Sequence, residues 1–544
     1  MRGLMMDTPL SISSLIEYAA LNHGEAEIVS RTVEGPLHRY GYRDSHARIQ
    51  QLAQVLAELG IRIGDRVGTI AWNGYRHFEL YFAISGIGAV CHTINPRLAA
   101  EQVAYIVNHA EDRIIFVDLT FIPLLESLAP RLPSVEAYVV MTDAAHMPST
   151  RLPRALCYET LLAGKPARFT WPRLDENTAC ALCYTSGTTG VPKGVLYTHR
   201  STILHALAAS LADNCCLSAR DTVLPAVPMF HVNAWGIPYA CAMVGAKLVL
   251  PGVKVDGASL YELLESEGVT FAAAVPTVWV SMLEYLRSTG KRLSHLRRIQ
   301  MGGAVVPRPM IAEFEDKHDV QAQQGWGMTE TSPVATVGTL KGSQLKLGRE
   351  QQLDYRATQG RAIFGVEMRV VDPDGKELPR DGQSRGELCV RGPWVLSSYY
   401  CNDEASAAAF DSEGWFHTGD VSVIDPDGYM RIVDRAKDVI KSGGEWISSI
   451  EVETAAVGHP DIAEAGVIAV PHPRWGERPL LIVVLKKGRS PDRDGILRYL
   501  AERLPKLALP DDVIVAEELP RTPTGKVLKT RLREMFKDYR PRST

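Results

Sequence analysis

The densest phosphate-binding chemistry in this chain lies in the run YTSGTTGVPKG at residues 184–194. Its glycines let backbone amides turn toward an anion, its hydroxyl groups add further donors, and a lysine supplies positive charge. It is not a Walker A loop, because GxxxxGK[ST] is absent from the chain. A simple surface turn is the alternative, but the density of donors favours a phosphate site. The loop residues concerned are Thr185, Ser186, Gly187, Thr188, Thr189 and Lys193.

Other chemically suggestive runs follow this loop. They are FHVNAWG (230–236), GWGMTE (325–330), WFHTGD (415–420), DRAKDVIKSGGEWIS (434–448) and PRTPTGKVLK (520–529). Asp420, in a Thr-Gly-Asp turn, can accept two hydroxyl hydrogen bonds side by side, which suits a ribose diol. Lys526 lies on a loop bounded by proline and glycine, which can present a side chain away from its own domain. The order and spacing of these runs carry more information than any one of them.

Taken together, the runs resemble the signatures of the adenylate-forming superfamily of acyl-CoA synthetases, luciferases and peptide-synthetase adenylation domains. Within it the chain is most similar to bacterial medium- and long-chain fatty acid–CoA ligases. That similarity rests on MMDTPLSISSLIEYAALNHG (5–24), CHTINPRL (91–98), VPMFHVNAWG and IKSGGEWIS. Ligases for 3-methylthiopropionate share these features and are the close alternative.

The resemblance implies a two-step reaction. ATP first converts a fatty acid into acyl-AMP and pyrophosphate, and coenzyme A then takes the acyl group as a thioester with release of AMP. Mg²⁺ is the implied cofactor, and ATP and coenzyme A are co-substrates. A hard cation prefers oxygen ligands, which suits a hydroxyl and a carboxylate. The implied catalytic residues are Lys526, His231, Thr185 and Glu330, of which Thr185 and Glu330 would hold the metal.

The resemblance also implies how the nucleotide is bound. Beyond the loop, the implied ATP and AMP contacts are Gly303, Ala304, Gln324, Gly325, Trp326, Thr329, Asp420, Arg435 and Lys437. Two positions depart from the common pattern. Trp326 replaces the usual tyrosine and loses a hydroxyl, and Ala304 stands where related ligases often have serine.

For the acyl chain and the thiol, the resemblance implies separate residues. His231, Val232 and Trp235 would line the acyl pocket, with Trp235 as a gate or as ordinary core packing. Asp434 matches the hinge about which the C-terminal domain swings between the two steps. The implied coenzyme A-side loop is Lys441, Gly443, Gly444, Glu445 and Trp446.

The alternation of short apolar runs and helical patterns predicts an α/β fold. We expect strands near 66–72, 113–118 and 137–141, a buried helix at 79–90, and largely parallel sheets covered by helices. Short runs separated by DPDG turns predict a small antiparallel β-barrel at about 360–433. The predicted division is an N-terminal adenylation domain at 1–433 and a small mobile α/β domain at 434–544.

Composition and net charge further restrict the classes of function that fit this sequence. The 544 residues carry 59 basic and 63 acidic side chains, a formal net charge of −4, which gives no field for nucleic acid. Nine cysteines fit free thiols in a reducing compartment. The sequence contains no run of about 18 apolar residues, so no membrane-spanning helix is predicted. We therefore expect a cytoplasmic enzyme with small-molecule partners, and the resemblance adds a homodimer.

Several other functions are less consistent with the sequence. Cys180 and Cys183 match CxxC but fall on a predicted strand, where residues three apart point to opposite faces, so a zinc site is not expected. No GxSxG elbow is present, which argues against a thioesterase. A luciferase-like monooxygenase remains the more remote alternative because it shares the first half-reaction. A non-catalytic binding protein would be expected to lose Lys526 or Glu330, and both are present.

Overall fold

A computed structural model describes residues 1, 3–185, 191–443, 445–490, 492–521 and 527–539. These residues fall into two compact units. The first comprises Met1–Thr185, Pro192–Glu367 and Arg391–Ala408, and the second comprises the described part of the remainder. No helix in the described ranges combines the length and apolar character needed to cross a membrane.

The helices of the first unit cover its sheets. They are α1 (Ile12–Asn22), α2 (Tyr42–Glu58), α3 (Tyr75–Gly86), α4 (Ala100–Ala110), α5 (Ile122–Leu128), α6 (Tyr158–Leu162), α7 (His199–Ser210), α8 (Val232–Trp235), α9 (Ile237–Val244), α10 (Gly257–Ser266), α11 (Pro276–Thr289), α12 (Arg308–His318), α13 (Arg349–Arg356) and α14 (Asp403–Ala407). Every residue of α3 is buried. The predicted helix at 79–90 therefore exists with shifted bounds, because the chain turns at Gly88 (φ 84°) and Val90 begins a strand.

The strands of the first unit form two sheets. They are β1 (Glu27–Arg31), β2 (Leu37–Gly41), β3 (Arg66–Ile70), β4 (Val90–Thr93), β5 (Ile114–Val117), β6 (Ala137–Val140), β7 (Ala155–Cys157), β8 (Ala179–Tyr184), β9 (Gly194–Thr198), β10 (Thr222–Pro225), β11 (Lys247–Leu250), β12 (Phe271–Ala274), β13 (Arg298–Met301), β14 (Gln321–Gly327), β15 (Val334–Val337) and β16 (Gly360–Ala362). One sheet has the order β7-β6-β5-β3-β4-β8-β9. The other runs β16-β15-β14-β13-β12-β10-β11-β1-β2 within this unit.

Both sheets are largely parallel, as the sequence predicts. Among the strand pairs of this unit whose register is described, the antiparallel ones are β8–β9, β1–β2, β14–β15 and β15–β16. All four residues of β5, β6 and β12 are buried, which explains why these strands are continuous apolar runs rather than alternating ones. Between β13 and β14 the register pairs Met301, the last residue of β13, with Gln324, and β14 continues to Gly327. The nucleotide contacts that the sequence predicts in the first unit lie at or just beyond this edge.

The second unit contains β17 (Glu367–Val371), β18 (Gly386–Arg391), β19 (Phe416–Ile424), β20 (Tyr429–Arg435), β21 (Ile440–Ser442), β22 (Glu445–Ile447), β23 (Ile462–His472), β24 (Gly476–Leu485), β25 (Asp512–Val515), α15 (Ser449–Val457), α16 (Arg493–Ala501) and α17 (Lys529–Met535). Strands β18, β19 and β20 pair antiparallel, in agreement with the predicted hairpin-rich segment. A second sheet has the order β22-β21-β24-β23, with β25 parallel to β24. The fold class is the predicted one, and the domain boundary at residue 434 stays a prediction.

Candidate active site

The stem of the predicted phosphate loop is a tightly paired β-hairpin of β8 and β9. The Thr185 amide donates to the Lys193 carbonyl at 2.9 Å, and the Lys193 amide donates to the Thr185 hydroxyl at 3.2 Å. Gly194 is required here, because a Cβ atom would stand 3.2 Å from both the Tyr184 ring and Tyr400. The stem therefore fixes where the loop begins and ends. Ser186, Gly187, Thr188 and Thr189 lie outside the described residues.

Glu330 lies in a short 3-10 turn, Thr329–Thr331, just after β14. The residue is buried, and the Tyr399 hydroxyl donates to its Oε1 at 2.8 Å. The Leu396 amide donates to the Glu330 carbonyl at 2.9 Å. The Tyr197 hydroxyl donates to the Thr329 carbonyl at 2.7 Å. Neighbouring elements therefore hold both the backbone and the side chain of Glu330.

Lys193 contacts the same tyrosine from another direction. Its ammonium nitrogen lies 4.3 Å from the centre of the Tyr399 ring, within cation–π range. Sequence reasoning missed Tyr399, because nothing in the run SSYYCND marks one tyrosine as facing a carboxylate and a lysine. The structure therefore adds one aromatic residue to the predicted set.

The ends of β13 and β14 form a wall suited to a flat heteroaromatic ring. Gly303 has φ of 81° and, with Ala304, is exposed. Gln324 is 1% exposed, and its Oε1 has no hydrogen-bond partner among the described residues. A buried amide oxygen without a donor is costly, so a ligand donor is a natural partner. Gly325 and Trp326 continue this wall within β14, and the Trp326 side chain is largely buried.

The segment after His231 adopts a left-handed turn. Its φ angles are 46° at Val232, 50° at Asn233, 50° at Ala234, 58° at Trp235 and 72° at Gly236. Left-handed geometry costs roughly 1–2 kcal/mol for each residue with a side chain. Gly236 cannot be replaced, because a Cβ atom there would stand 2.7 Å from the His205 ring nitrogen. Strain of this kind concentrates at functional sites.

A buried asparagine from the other sheet holds this segment in place. The Asn73 side-chain amide donates to the Pro225 and Val227 carbonyls at 2.8 Å each, and its oxygen accepts the Met229 amide at 2.7 Å. Asn73 is only 4% exposed, so these bonds are shielded from water. They fix the chain immediately before the aromatic motif.

Trp235 lies close to the end of β13. A Cβ atom at Gly302 would stand 3.2 Å from the Trp235 ring and 3.0 Å from the Gly325 carbonyl oxygen. The indole is half-buried, whereas Val232 is buried. The turn that would hold the acid and the edge that would hold the base therefore share a direct contact.

In the second unit, Asp420 and Arg435 face each other across β19 and β20. The Arg435 Nε lies 2.7 Å from Asp420 Oδ1, and the carboxylate is buried. The Thr418 hydroxyl accepts the Asp420 amide at 3.1 Å, and Glu387 accepts the Gly419 amide at 3.2 Å. The turn is thus preformed, with its carboxylate already aligned by a guanidinium.

The predicted hinge residue is part of a buried polar network in the same unit. Asp434 accepts the Ser449 amide at 2.5 Å and the Ser449 hydroxyl at 2.7 Å, at the start of α15. Lys529 Nζ lies 2.5 Å from Ser449 Oγ and 2.8 Å from Glu453 Oε1. Burial raises the pKa of the Asp434 carboxyl above its ordinary value. Lys526 lies outside the described residues, three positions before Lys529.

The predicted coenzyme A-side loop is a short hairpin of β21 and β22. Lys441 pairs with Trp446 in its register, and Glu445 and Trp446 are exposed. Gly443, at φ of 59°, would place a Cβ atom 2.7 Å from the Trp475 ring, so glycine is required. Burial lowers the pKa of the Lys437 ammonium. Gly444 lies outside the described residues.

The histidines and cysteines offer no competing metal site. No group of three or more histidine, cysteine, aspartate or glutamate side chains suits a metal ion in the described ranges. All nine cysteines are free. Burial lowers the pKa of both His199 and His205 to about 4, so these imidazoles stay neutral. Cys180 and Cys183 belong to no such group among the described residues.

Comparison with known proteins shows the family to which the chain belongs. Residues 16–400 match the family model of the AMP-binding enzyme, and residues 451–526 match that of the AMP-binding enzyme C-terminal domain. The chain is 48% identical to a medium-chain-fatty-acid–CoA ligase of Ectopseudomonas oleovorans, over 100% of this chain and 99% of that protein. It is 49% identical to a 3-methylmercaptopropionyl-CoA ligase of Ruegeria pomeroyi, over 99% of each. It is 48% identical to a long-chain-fatty-acid–CoA ligase of Thermus thermophilus, over 98% of this chain and 97% of that protein.

A solved structure is also similar along the whole chain. The anthranilate CoA ligase AuaEII, in complex with anthranoyl-AMP, superposes with a TM-score of 0.86 at 25% identity, covering 98% of each chain. The chain therefore belongs to the AMP-binding enzyme family. Within that family it is an AMP-forming acyl-CoA synthetase, an acid–thiol ligase that uses ATP and coenzyme A.

Proposed function

We propose that this enzyme activates a medium- or long-chain fatty acid as an acyl-adenylate and transfers the acyl group to coenzyme A. One observation carries the proposal: Trp235, in the segment suited to the acid, packs on Gly302, in the wall suited to the nucleotide. An adenylate-forming site needs these two ligands side by side. The full-length similarity to fatty-acid ligases supports the choice of acid.

The first half-reaction joins two anions. A carboxylic acid with a pKa of about 4–5 is ionised at neutral pH and needs no general base. Its oxygen attacks the α-phosphorus, the bond to the bridging oxygen breaks, and pyrophosphate leaves. The task of the protein is charge neutralisation and alignment. Lys193 and Lys526 would supply positive charge, and His231 would line the junction of carboxylate and phosphate.

The Thr185 hydroxyl and the Glu330 carboxylate are the protein groups that would hold Mg²⁺. Both are hard oxygen donors, and one or two protein ligands are usual where the metal is carried mainly by nucleotide phosphates. The absence of a larger acidic or histidine cluster in the described ranges fits this arrangement. When bound, the ion would neutralise phosphate charge.

Each unit offers its own candidate contacts for a nucleotide. In the first unit, the Gln324 oxygen would accept a hydrogen bond from the base, beside Gly303 and Ala304. In the second unit, Asp420, aligned by Arg435, would accept ribose hydroxyls. Trp326 would offer the base a stacking face, although it lacks the phenol hydroxyl of the usual tyrosine.

The second half-reaction requires a thiol to reach the activated carbonyl. A thiolate forms the new carbon–sulfur bond, and the bond to AMP breaks with AMP as leaving group. The hinge at Asp434 would withdraw Lys526 and present the Lys441–Trp446 hairpin. Its glycine at 443 leaves room for a slim pantetheine arm.

Pyrophosphate release should be measured with unbranched acids from propionate to palmitate. The assay should include 3-methylthiopropionate, and ATP, Mg²⁺ and coenzyme A should each be omitted in turn. We expect release only with all components, and the highest kcat/KM for a medium or long chain. A maximum at 3-methylthiopropionate would select the second candidate, which the Ruegeria pomeroyi relative favours. Product formation that depends on oxygen would contradict both.

We also propose that the enzyme is a cytoplasmic homodimer. Nine free thiols support a reducing compartment. Light scattering on the purified chain and fractionation of cells that express it would test the two statements separately. A monomer at micromolar concentration, or enrichment in an oxidising compartment, would contradict them.

A further inference from the structure

A short strap, residues 394–400, connects the two halves of the phosphate-binding region in the first unit. At one end the Ser332 hydroxyl donates to the Trp394 carbonyl at 2.7 Å, and the Leu396 amide donates to the Glu330 carbonyl at 2.9 Å. At the other end the Tyr400 amide donates to the Gly194 carbonyl at 2.9 Å, on the stem of the loop. The strap thus fixes Glu330 relative to that stem.

Within the strap, Tyr399 contacts both charged groups. Its hydroxyl donates to Glu330 Oε1 at 2.8 Å, and its ring faces the Lys193 ammonium at 4.3 Å. The tyrosine is 5% exposed, as is Glu330. Hydrogen bonds from a phenol to an ionised carboxylate are short and strong.

The Tyr399 side chain contacts two groups of opposite charge. A lysine and a glutamate in the same region tend to pair with each other, which would occupy both charges. Lys193 makes no ion pair in the described part of the chain, and its side chain instead contacts the face of Tyr399. The phenol satisfies the carboxylate at its edge and the ammonium at its face. The Lys193 ammonium is thereby held by the Tyr399 ring rather than by a carboxylate.

We propose that Tyr399 is a positioning residue that keeps Glu330 and Lys193 apart and correctly oriented for metal–nucleotide binding. This inference rests on the proposed function, because it assumes that Glu330 meets the metal and Lys193 the phosphates. Its hydroxyl and its ring have separable tasks: the hydroxyl orients Glu330, and the ring holds Lys193.

The test uses four variants of the full chain: Tyr399→Phe, Tyr399→Leu, Glu330→Gln and, as the matched control, Tyr18→Phe. Tyr18 is an exposed tyrosine of α1, outside the strap. The first readout is binding rather than turnover. Mn²⁺ is titrated by electron paramagnetic resonance in the presence of α,β-methylene-ATP. Thermal unfolding is recorded for each variant, and the Mg²⁺ dependence of pyrophosphate release is measured in parallel.

We expect Tyr399→Phe to weaken Mn²⁺ binding about tenfold and to raise the half-saturating Mg²⁺ concentration by the same factor. The KM for the fatty acid should change less than twofold. Tyr399→Leu, which also lacks the ring, should in addition raise the KM for ATP several-fold. The Tyr18→Phe variant should match the unmodified enzyme in every readout.

Three results would overturn the inference, and they are distinguishable. Normal Mn²⁺ binding in Tyr399→Phe together with weakened binding in Glu330→Gln rejects the role of Tyr399 alone. Normal binding in Glu330→Gln rejects the metal role of Glu330 in the proposed function, and the inference with it. A uniform loss across all ligands, accompanied by a lower unfolding temperature in Tyr399→Phe, reduces Tyr399 to a structural residue.

Discussion

At the scale of single residues, Lys526 is the group on which the proposed chemistry most depends. It would approach both the acid carboxylate and the α-phosphate, so removing it should affect the step in which two anions meet. We predict that Lys526→Ala lowers adenylate formation at least 100-fold, about 2.7 kcal/mol of transition-state stabilisation. Thioester formation from supplied acyl-adenylate should fall less than about threefold.

The two half-reactions can be measured separately by pyrophosphate exchange and by consumption of synthetic acyl-adenylate. Lys537→Ala, an exposed lysine eleven positions further along, is the control and should behave as the unmodified enzyme. Equal losses in both half-reactions would contradict the assigned role.

Residue types and spacing name candidate site residues, but they do not name most of the contacts between those residues. The charged residues Glu330, Asp420 and Arg435 could be named from motifs, and the Asp420–Arg435 pair is present in the structure. Tyr399 could not be named, because its importance comes from where the strap crosses the unit. A tyrosine that donates to a distant carboxylate looks, in one sequence, like any core tyrosine. Long-range hydrogen bonds are tertiary facts that local patterns do not contain.

At the scale of elements, the contact between the left-handed turn and the end of β13 should couple acid and nucleotide. In Gly302→Ala, the added methyl group would stand 3.0 Å from the Gly325 carbonyl oxygen and 3.2 Å from the Trp235 ring, so the indole must shift. We predict that fatty-acid affinity falls at least fivefold and that its dependence on a bound ATP analogue is reduced.

Calorimetric titration of a fatty acid, with and without the analogue, measures both quantities for Gly302→Ala. Gly342→Ala provides a matched control, because no atom lies within 4 Å of a Cβ atom at that position. Unchanged coupling in the Gly302 variant would show that the contact is only packing.

Helix α17 is anchored through its first residue, Lys529. Lys529 is the cation next to two buried carboxyl groups, Asp434 and Glu453, and burial raises the pKa of each. Removing one partner of a buried ion pair costs about 3–5 kcal/mol. Lys529→Met should therefore destabilise the second unit by about 3 kcal/mol.

The loss in Lys529→Met should grow with pH. When the pKa of an acid is higher in the folded protein than in the unfolded chain, the folded protein loses stability as the pH rises from the lower to the higher pKa. Removing the cation raises the pKa in the folded protein further and so widens this pH range. Denaturant unfolding at pH 5 and pH 8 measures the effect. Arg531→Met, which breaks only an exposed pair with Glu534, should change stability by less than about 1 kcal/mol. A pH-independent loss in the lysine variant would contradict the argument.

Elements were more predictable than their ends. The predicted strand at 113–118 contains β5, and the one at 137–141 contains β6, because short apolar runs in a parallel sheet need burial on both faces. The helix predicted at 79–90 is shifted, since its apolar run continues through a glycine turn into β4 without a change in composition. The left-handed turn at 232–236 could not be predicted, because it violates the local preference of four of its five residues.

At the scale of the whole molecule, the described residues divide into two compact units. The sequence indicates a division through a change of pattern, from strand–helix alternation to hairpins near residue 360. That change does not fix the residue at which one unit ends. Stability should consequently be assigned to each unit rather than to one global transition.

Asp118 should dominate part of the pH dependence of the first unit. It follows β5 and is buried beside a depression lined by Trp72 and Arg76. Its Oδ2 accepts the Trp72 amide at 2.7 Å, yet burial raises its pKa from 3.8 to about 7. Between these two values the folded unit binds a proton that the unfolded chain does not. Stability is therefore lost as pH rises through this window, and the full cost is present above about pH 7.

We predict that Asp118→Asn, which keeps an oxygen for the Trp72 amide but cannot ionise, raises the unfolding temperature of the first unit at pH 8 by a few degrees. The expected scale is about 2–4 °C per kcal/mol for a domain of 150–250 residues, and less for a larger unit. The gain should shrink toward pH 5, where the native aspartate is already protonated when folded. Scanning calorimetry between pH 5 and pH 8 measures this convergence, with Asp7→Asn as the same change at an exposed position. A gain of equal size at both pH values would show that the effect comes from packing, because only a titrating group can make it vary.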